Sequence, residues 1–284
     1  MTLKSILVSV EQSQLLDSVF ETALLVARRF DSYMEGLYLR SAMSPVVAAD
    51  GISMAAQTAW EEFENEERER ARRARGLFES FLRDKGVDWA PETGAATVSA
   101  GWLDDLSPGE QLIGSRGRVF DLIVTGRPVR GAEVPRMSIL ESALFDSGRP
   151  VLIAPPTPPA TLGEVIVIAW NGSMESARAV ALAMPLLARA RQVHVLAVEG
   201  GSVPGPDAAE LERSLLRNDV SAEATGVRPG ERSVGEAILE EAAGLGADLL
   251  IKGAYTHSRL RQLIFGGATS HILAEADLPV LMAH

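Results

Sequence analysis

The two halves of the sequence carry the same succession of apolar and polar segments. Residues 6–10 (ILVSV) precede the polar triplet Glu-Gln-Ser, and residues 166–170 (IVIAW) precede Asn-Gly-Ser. Continuous apolar runs of this length, bounded by turn residues, are typical of strands that are buried on both faces of a parallel sheet. Each run leads into a segment with apolar residues at helical spacing. The chain is therefore predicted to contain two copies of one strand–helix unit.

The copies also match near their ends. Residues 120–126 (FDLIVTG) correspond to residues 247–253 (ADLLIKG), at an offset of 127 residues, whereas the first strands are offset by 160. The first copy thus holds 33 additional residues. Most of them fall in residues 50–86, where Glu and Arg form i,i+4 pairs on a helical pattern. We expect a long inserted helix with a solvated, ion-paired face; a binding patch formed by its arginines is the alternative.

Strands and helices alternate in each half, which predicts doubly wound α/β domains with five-stranded parallel sheets and right-handed crossovers. Residues 155–160 (PPTPPA) divide the halves, because proline fixes φ and stiffens a linker. The predicted domains are residues 1–154, with the long helix, and residues 161–284. The last strand of each half is short and apolar and needs cover at the sheet edge, so we expect the halves to pair through these strands around a pseudo-two-fold axis.

The composition disfavours nucleic-acid partners, cysteine chemistry and membrane insertion. The chain of 284 residues has a formal net charge of -11, which disfavours nucleic acid as a main partner because binding to a phosphate backbone needs a basic surface. The absence of cysteine excludes disulfides and a cysteine nucleophile. No apolar run reaches the roughly 18–20 residues of a membrane span, and the first residues show no signal-peptide pattern. We therefore expect a cytoplasmic protein without membrane insertion.

A glycine-bounded segment in the second half has the features of an anion site. Gly253 ends an apolar strand, and Gly266 and Gly267 precede a helical segment. Glycine allows a close backbone approach to a ligand, and a helix N-terminus offers free N–H groups at the positive end of its dipole. Thr269 could add a hydroxyl donor and His257 a positive charge. The segment therefore predicts phosphate binding beyond the carboxyl end of the sheet; turns and close packing are the alternative reasons for the glycines.

Two stretches, IAWNGSMES (residues 168–176) and GAYTHSRLRQLIFGGATSHILAEADLPVLM (residues 253–282), resemble the universal stress protein family. The duplicated layout resembles the tandem members of that family over nearly the whole chain. The resemblance implies a flavodoxin-like or Rossmann-like domain in each half, pairing through the last strands, and a role in stress response or signalling. It also implies ATP or AMP in the cleft of some members, with Mg²⁺ as a companion of ATP.

Nucleotide-binding members of that family carry Gly-x-x-Gly, nine residues, and then Gly followed by Ser or Thr. Gly253 and Gly266 match the first and third glycines, whereas Thr256 stands at the second glycine and Gly267 at the hydroxyl position. Thr269 matches a further hydroxyl position. The resemblance therefore implies an adenine-nucleotide site in the second half that lacks some contacts, each worth about 0.5–1.5 kcal/mol if it is a neutral hydrogen bond.

The position after the first strand also departs from the family pattern, which has an aspartate that faces the adenosine. Asn171 occupies this position in the second half, and Glu11 occupies it in the first. Residues 135–142 replace the later glycines in the first half. We therefore expect the loop of the first half to be degenerate and that half to be a structural partner.

Catalytic and metal-binding patterns are weak. The sequence has no Gly-x-Ser-x-Gly elbow and no P-loop, and no third donor accompanies the histidines at a metal site. We expect no catalytic residue and no metal centre. The alternatives to a nucleotide-binding stress protein are a nucleotide-independent protein-interaction module and a weak ATP hydrolase. Further pairing of the chain into a homodimer is open.

Overall fold

The computed structural model describes residues 2–41, 54–90, 97–104, 109–128, 134–254 and 267–284. The elements of the first half are, in chain order, β1 (Ser5–Ser9), α1 (Leu16–Phe30), β2 (Tyr33–Leu37), α2 (Met54–Asp84), β3 (Asp88–Trp89), β4 (Ser99–Trp102), α3 (Gln111–Gly117), β5 (Leu122–Gly126), α4 (Met137–Asp146) and β6 (Val151–Ala154). Those of the second half are β7 (Val165–Ala169), α5 (Met174–Leu187), β8 (Gln192–Val198), α6 (Ala208–Leu216), β9 (Glu223–Val227), α7 (Val234–Gly244), β10 (Leu249–Gly253), α8 (Ala268–Glu275) and β11 (Val280–Ala283).

Within the described residues, the strands of both halves form one sheet of eleven strands in the order β3-β4-β2-β1-β5-β6-β11-β10-β7-β8-β9. Neighbours within each half are parallel, as predicted, and the two-residue strand β3 is added at the outer edge of the first half. The halves join through β6 and β11, which are antiparallel with Leu152 opposite Leu281. The predicted pairing of the last strands is therefore confirmed.

Helices cover both faces of the sheet because alternate residues of its buried strands point to opposite sides. In β1, Ile6 and Val8 pack in one apolar core with residues of α1, α2, α5 and α6. Leu7 packs in the other core with residues of α3, α4, α7 and α8. This arrangement of three layers confirms the α/β fold class.

Helix α2 lies within the segment that holds the additional residues of the first half. Its inner face buries Ala74, Phe78 and Leu82 against the sheet, and the Phe78 ring lies 5.3 Å from that of Phe20. Arg70 pairs with Glu66 at i,i+4, as the sequence pattern predicts. Most of the helix is therefore an ion-paired surface around a narrow apolar stripe. Among the described residues, no helix combines the length and apolar character needed to cross a bilayer.

Candidate functional site

The order of the second half-sheet reverses between β7 and β10. The chain moves from β7 outward to β8 and β9, and then returns to β10 and β11 on the other side. A crevice forms beyond the carboxyl ends of the strands at such a switch point, and ligands of doubly wound folds bind there. Asn171 follows β7, and Gly253 is the last residue of β10. Two of the predicted site residues are thus brought to the same crevice.

A small cavity of about 50 Å³ lies in this crevice. Its walls include Trp170, Asn171, Lys252, Gly253 and Ala268. The volume is well below the roughly 300–1,000 Å³ of a typical small-molecule site. A nucleotide in this crevice would therefore extend past the walls of this cavity.

Lys252 places a buried positive charge beside the cavity. Its Nζ donates hydrogen bonds to the carbonyl oxygen of Gly253 and to Oγ1 of Thr269, each 2.9 Å away. Burial lowers the pKa of Lys252 to about 8, against an opposing effect of the Glu175 carboxylate. Lys252 was not among the predicted site residues. Its signal in the sequence is a charged residue near the end of the otherwise apolar strand LLIKG, which is buried throughout.

Among the described residues, no side chain caps the N-terminus of α8. Gly267 is its N-cap residue in an extended conformation, and a Cβ placed there would meet no atom of the described residues within 4 Å. The N–H groups of the first turn and the helix dipole favour an anion at this end. Thr269 lies in the first turn and accepts the hydrogen bond from Lys252. A lysine and a helix N-terminus therefore meet at one side of the crevice.

Gly253 has a packing reason to be glycine. A Cβ at this position would lie 2.4 Å from the backbone nitrogen of Ser176 and 2.6 Å from the carbonyl carbon of Glu175. The carboxyl end of β10 thus approaches the first turn of α5 more closely than a side chain would permit. Close packing, one of the alternatives stated for these glycines, accounts for Gly253 without a ligand.

Asn171 contributes to the turn that follows β7. Its Oδ1 accepts a hydrogen bond of 3.2 Å from the backbone N–H of Ser173, and Gly172 adopts φ +78°. Ser173 in turn caps α5, because its Oγ accepts from the N–H of Ser176. The amide of Asn171 therefore lines the cavity while it holds the loop. The predicted site residues Thr256, His257 and Gly266 lie outside the described residues.

The matching crevice of the first half is arranged differently. Glu11 follows β1, and its Oε2 accepts a hydrogen bond of 3.1 Å from the backbone N–H of Arg136, the N-cap residue of α4. The Arg136 side chain approaches the same oxygen at 3.4 Å. Burial raises the pKa of Glu11, and the contacts with Arg136 oppose this rise. The protein's own carboxylate thus occupies the helix N-terminus at which a phosphate would bind.

Comparison with known proteins identifies the class of the second half. Residues 164–284 match the model of the universal stress protein family, so this region is one universal stress protein domain. A stretch of 47 residues, 16% of the chain, is 38% identical to the stress response protein NhaX of Bacillus subtilis strain 168. The match spans 28% of the length of that relative.

Solved structures share the fold of the whole chain. A universal stress protein from Archaeoglobus fulgidus DSM 4304 gives a TM-score of 0.74 at 16% identity, with 99% of this chain and 96% of that chain covered. A candidate universal stress protein from Pseudomonas aeruginosa UCBPP-PA14 gives 0.51 at 18% identity, with 99% and 93% covered. At identities this low, the structural similarity shows the fold alone. It is the flavodoxin-like fold predicted for the chain.

Proposed function

We propose that the protein is a tandem universal stress protein that acts in stress response or signalling and binds an adenine nucleotide in the second-half crevice. The observation that carries the nucleotide site is the N-terminus of α8, which no side chain of the described residues caps, beside the buried ammonium of Lys252. A phosphate at this end would be held by backbone N–H groups and by a cation in a water-poor setting, where charge-assisted hydrogen bonds are strongest. The family match of residues 164–284 supports the stress-response role.

The contrast between the two crevices supports this choice of half. In the first half, the carboxylate of Glu11 satisfies the N-terminus of α4 and would repel a phosphate. In the second half, the matching residue is the neutral Asn171, and no atom of the described residues lies where a Cβ of Gly267 would be. An external anion could therefore bind at the N-terminus of α8 in the second crevice, whereas in the first crevice it would compete with the Glu11 carboxylate.

The geometry of the seam supports two copies of one domain. Leu152 and Leu281 are the second residues of β6 and β11, and they lie directly opposite each other. Val280 pairs with Ile153, and Met282 pairs with Val151, so the register is the same when read from either half. A two-fold axis between equivalent strands produces this self-complementary pairing.

A second repeated feature supports the duplication. The carboxylate of Asp121 accepts hydrogen bonds from the N–H groups of Lys4 and Ser5 at the start of β1. The carboxylate of Asp248 accepts from the N–H groups of three residues that lead into β7, namely Gly163, Glu164 and Val165. Each half thus uses the aspartate before its late central strand to hold the start of its first strand.

Calorimetric titration of the full chain with AMP, ADP and ATP, with and without Mg²⁺, tests the nucleotide site. We expect saturable binding that Lys252→Met weakens by roughly tenfold or more, because a hydrogen bond to a charged group is lost. Lys85→Met is the matched control, since Lys85 is a partly exposed lysine that pairs with Glu21 in the first half. Absence of saturation at millimolar nucleotide would contradict the proposal, as would equal affinity of the Lys252 variant.

One observation favours a second candidate, a nucleotide-independent interaction module. Lys252 already donates to Gly253 and Thr269, and the cavity beside it is small. A crevice filled by its own side chains would leave partner binding to the protein surface. Under this alternative, the calorimetric titration shows no nucleotide binding, and Lys252→Met affects stability alone.

A further inference from the structure

The first-half crevice contains a cavity of about 280 Å³, larger than the one beside Lys252. It lies beyond the carboxyl end of β1, and helix α2 contributes to its wall. The element at the same place in the second half, α6, has nine residues where α2 has 31. The long helix therefore gives the first half a wall that its counterpart cannot supply. Its wall includes Glu11, Tyr38, Arg70, Val134 and Arg136.

Glu11 lines this cavity and contains a buried acceptor that lacks a hydrogen bond. The residue is 5% exposed, and Oε2 is engaged by Arg136 as described above. Oε1 is buried and has no hydrogen-bond partner among the described parts of the chain. A buried acceptor without a donor is unfavourable, and a ligand that supplies an N–H or O–H group would remove that cost.

The charges around the cavity favour a cationic donor. Among the described residues, Arg70 and Arg136 supply the guanidinium groups of its wall, and each is shared by two carboxylates at distances of 2.9–3.4 Å. Within this described cluster, carboxylates outnumber guanidinium groups, and a positive ligand would balance the charge. The four carboxylates belong to Glu11, Glu66, Glu67 and Glu110.

We propose that the first-half cavity binds a small organic molecule with a protonated amino group, which donates a hydrogen bond to Oε1 of Glu11. The volume lies near the lower limit of the roughly 300–1,000 Å³ of typical ligand sites, which suits a molecule smaller than a nucleotide. Tyr38 and Val134 line the cavity and offer apolar surface to the carbon chain of the amine. Within the described residues, no group of three or more His, Asp or Glu side chains is arranged to hold a metal ion.

The test titrates the full chain with n-butylammonium chloride as the probe. Calorimetry and saturation-transfer NMR measure the binding at constant ionic strength. n-Butanol has the same carbon chain without the charge, and tetramethylammonium has the charge without an N–H donor. We expect saturable binding of n-butylammonium, with both analogues weaker by roughly tenfold or more. Binding of either analogue as strongly as n-butylammonium would overturn the proposal, as would the absence of saturation in the millimolar range.

A variant pair assigns the binding to Glu11. Glu11→Gln keeps the shape of the side chain and removes its charge, and we expect it to weaken n-butylammonium by roughly tenfold or more. Glu62→Gln makes the same change at an exposed position of α2 and should retain wild-type affinity. Unchanged binding by a folded Glu11→Gln protein would overturn the assignment. If the Glu11→Gln variant does not fold, the comparison of n-butylammonium with its two analogues on the wild-type chain tests the proposal.

Displacement of n-butylammonium by AMP would also overturn the proposal, because a nucleotide would then occupy this cavity.

Discussion

Arg29 and Arg189 donate hydrogen bonds to each other's main-chain carbonyl oxygen. Nη2 of Arg29 lies 2.5 Å from the oxygen of Arg189, and Nη1 of Arg189 donates to the oxygen of Arg29. The two residues are 160 positions apart, which is the offset of the first strands of the two halves. The guanidinium of Arg189 also lies 4.4 Å from the centre of the Phe30 ring. Such a reciprocal contact is what a two-fold axis produces between equivalent residues, so the pseudo-symmetry of the β6–β11 seam extends to the helix layer.

We expect Arg29→Ala to destabilise the chain by about 1–3 kcal/mol. The guanidinium of Arg29 also donates to the carbonyl of Gly163 at 3.1 Å and pairs with Glu164, so its loss leaves several partly buried acceptors without a donor. Urea denaturation measures the effect. Arg28→Ala is the matched control, because the Arg28 side chain donates to the exposed carbonyl of Lys85 within the first half. Equal losses in the two variants would contradict a special role of Arg29 at the seam.

Lys252→Met should change how the stability of the protein depends on pH. The pKa of Lys252 is about 8 in the folded protein and near 10.5 when unperturbed. Between these values the unfolded chain binds the extra proton, so the free energy of unfolding of the wild type rises with pH. The variant lacks this contribution. The stability difference, wild type minus variant, should therefore grow by roughly 3 kcal/mol from pH 8 to pH 10.5.

Urea denaturation at several pH values measures that difference, and Lys85→Met corrects for the general effect of removing a lysine. A stability difference that stays constant between pH 8 and pH 10.5 would contradict the burial of a protonatable amine at Lys252. A difference that decreases with rising pH would show that the folded state holds the proton more tightly than the unfolded chain does. That result would also weaken the case for Lys252 as a buried cation in the nucleotide site.

The fold was predictable from the sequence because both halves have apolar strands in the same order. The apolar runs that begin at Ile6 and Ile166 become the central strands, and the need to cover two short apolar edges leads to the seam at Leu152 and Leu281. The same logic places Asn171 and Gly253 at one crevice, because they lie at the carboxyl ends of neighbouring parallel strands. These features depend on local patterns and on the topology that the patterns imply.

The rest of the two sites depends on contacts that no local pattern contains. Lys252 appears as one charged residue in an apolar strand, and its role depends on Thr269, which is 17 positions away. The first-half cavity needs Arg70 of α2 near Glu11, and the path of a long inserted helix across the sheet end is set by tertiary packing. The prediction that the first half is only a structural partner therefore missed its cavity.

Gly253→Ala should destabilise the chain by about 1–3 kcal/mol, because its Cβ would overlap backbone atoms of Ser176 and Glu175 that cannot rotate away. Gly244→Ala is the contrasting variant. Gly244 ends α7, and a Cβ there meets no atom of the described part of the chain within 4 Å, so alanine should be neutral or stabilising by roughly 0.5–1 kcal/mol. Thermal and urea denaturation compare the two. A Gly253→Ala protein of wild-type stability would show that packing does not require this glycine and would return it to a ligand-contacting role.

Residues 161–284 expressed alone should form an antiparallel dimer through β11. Without β6, the exposed edge of β11 would lack backbone hydrogen bonds and would expose Leu281, which is fully buried in the whole chain. The register of the seam predicts that Leu281 of one copy lies opposite Leu281 of the other, with Cα atoms about 4.5–5.5 Å apart.

That distance suits a disulfide, and the native chain contains no cysteine that could interfere. Leu281→Cys should therefore form a disulfide-linked dimer under mild oxidation, whereas Leu216→Cys, at an exposed position of α6, should not. Sedimentation equilibrium that shows only monomer, or equal cross-linking of the two variants, would contradict pairing through this strand.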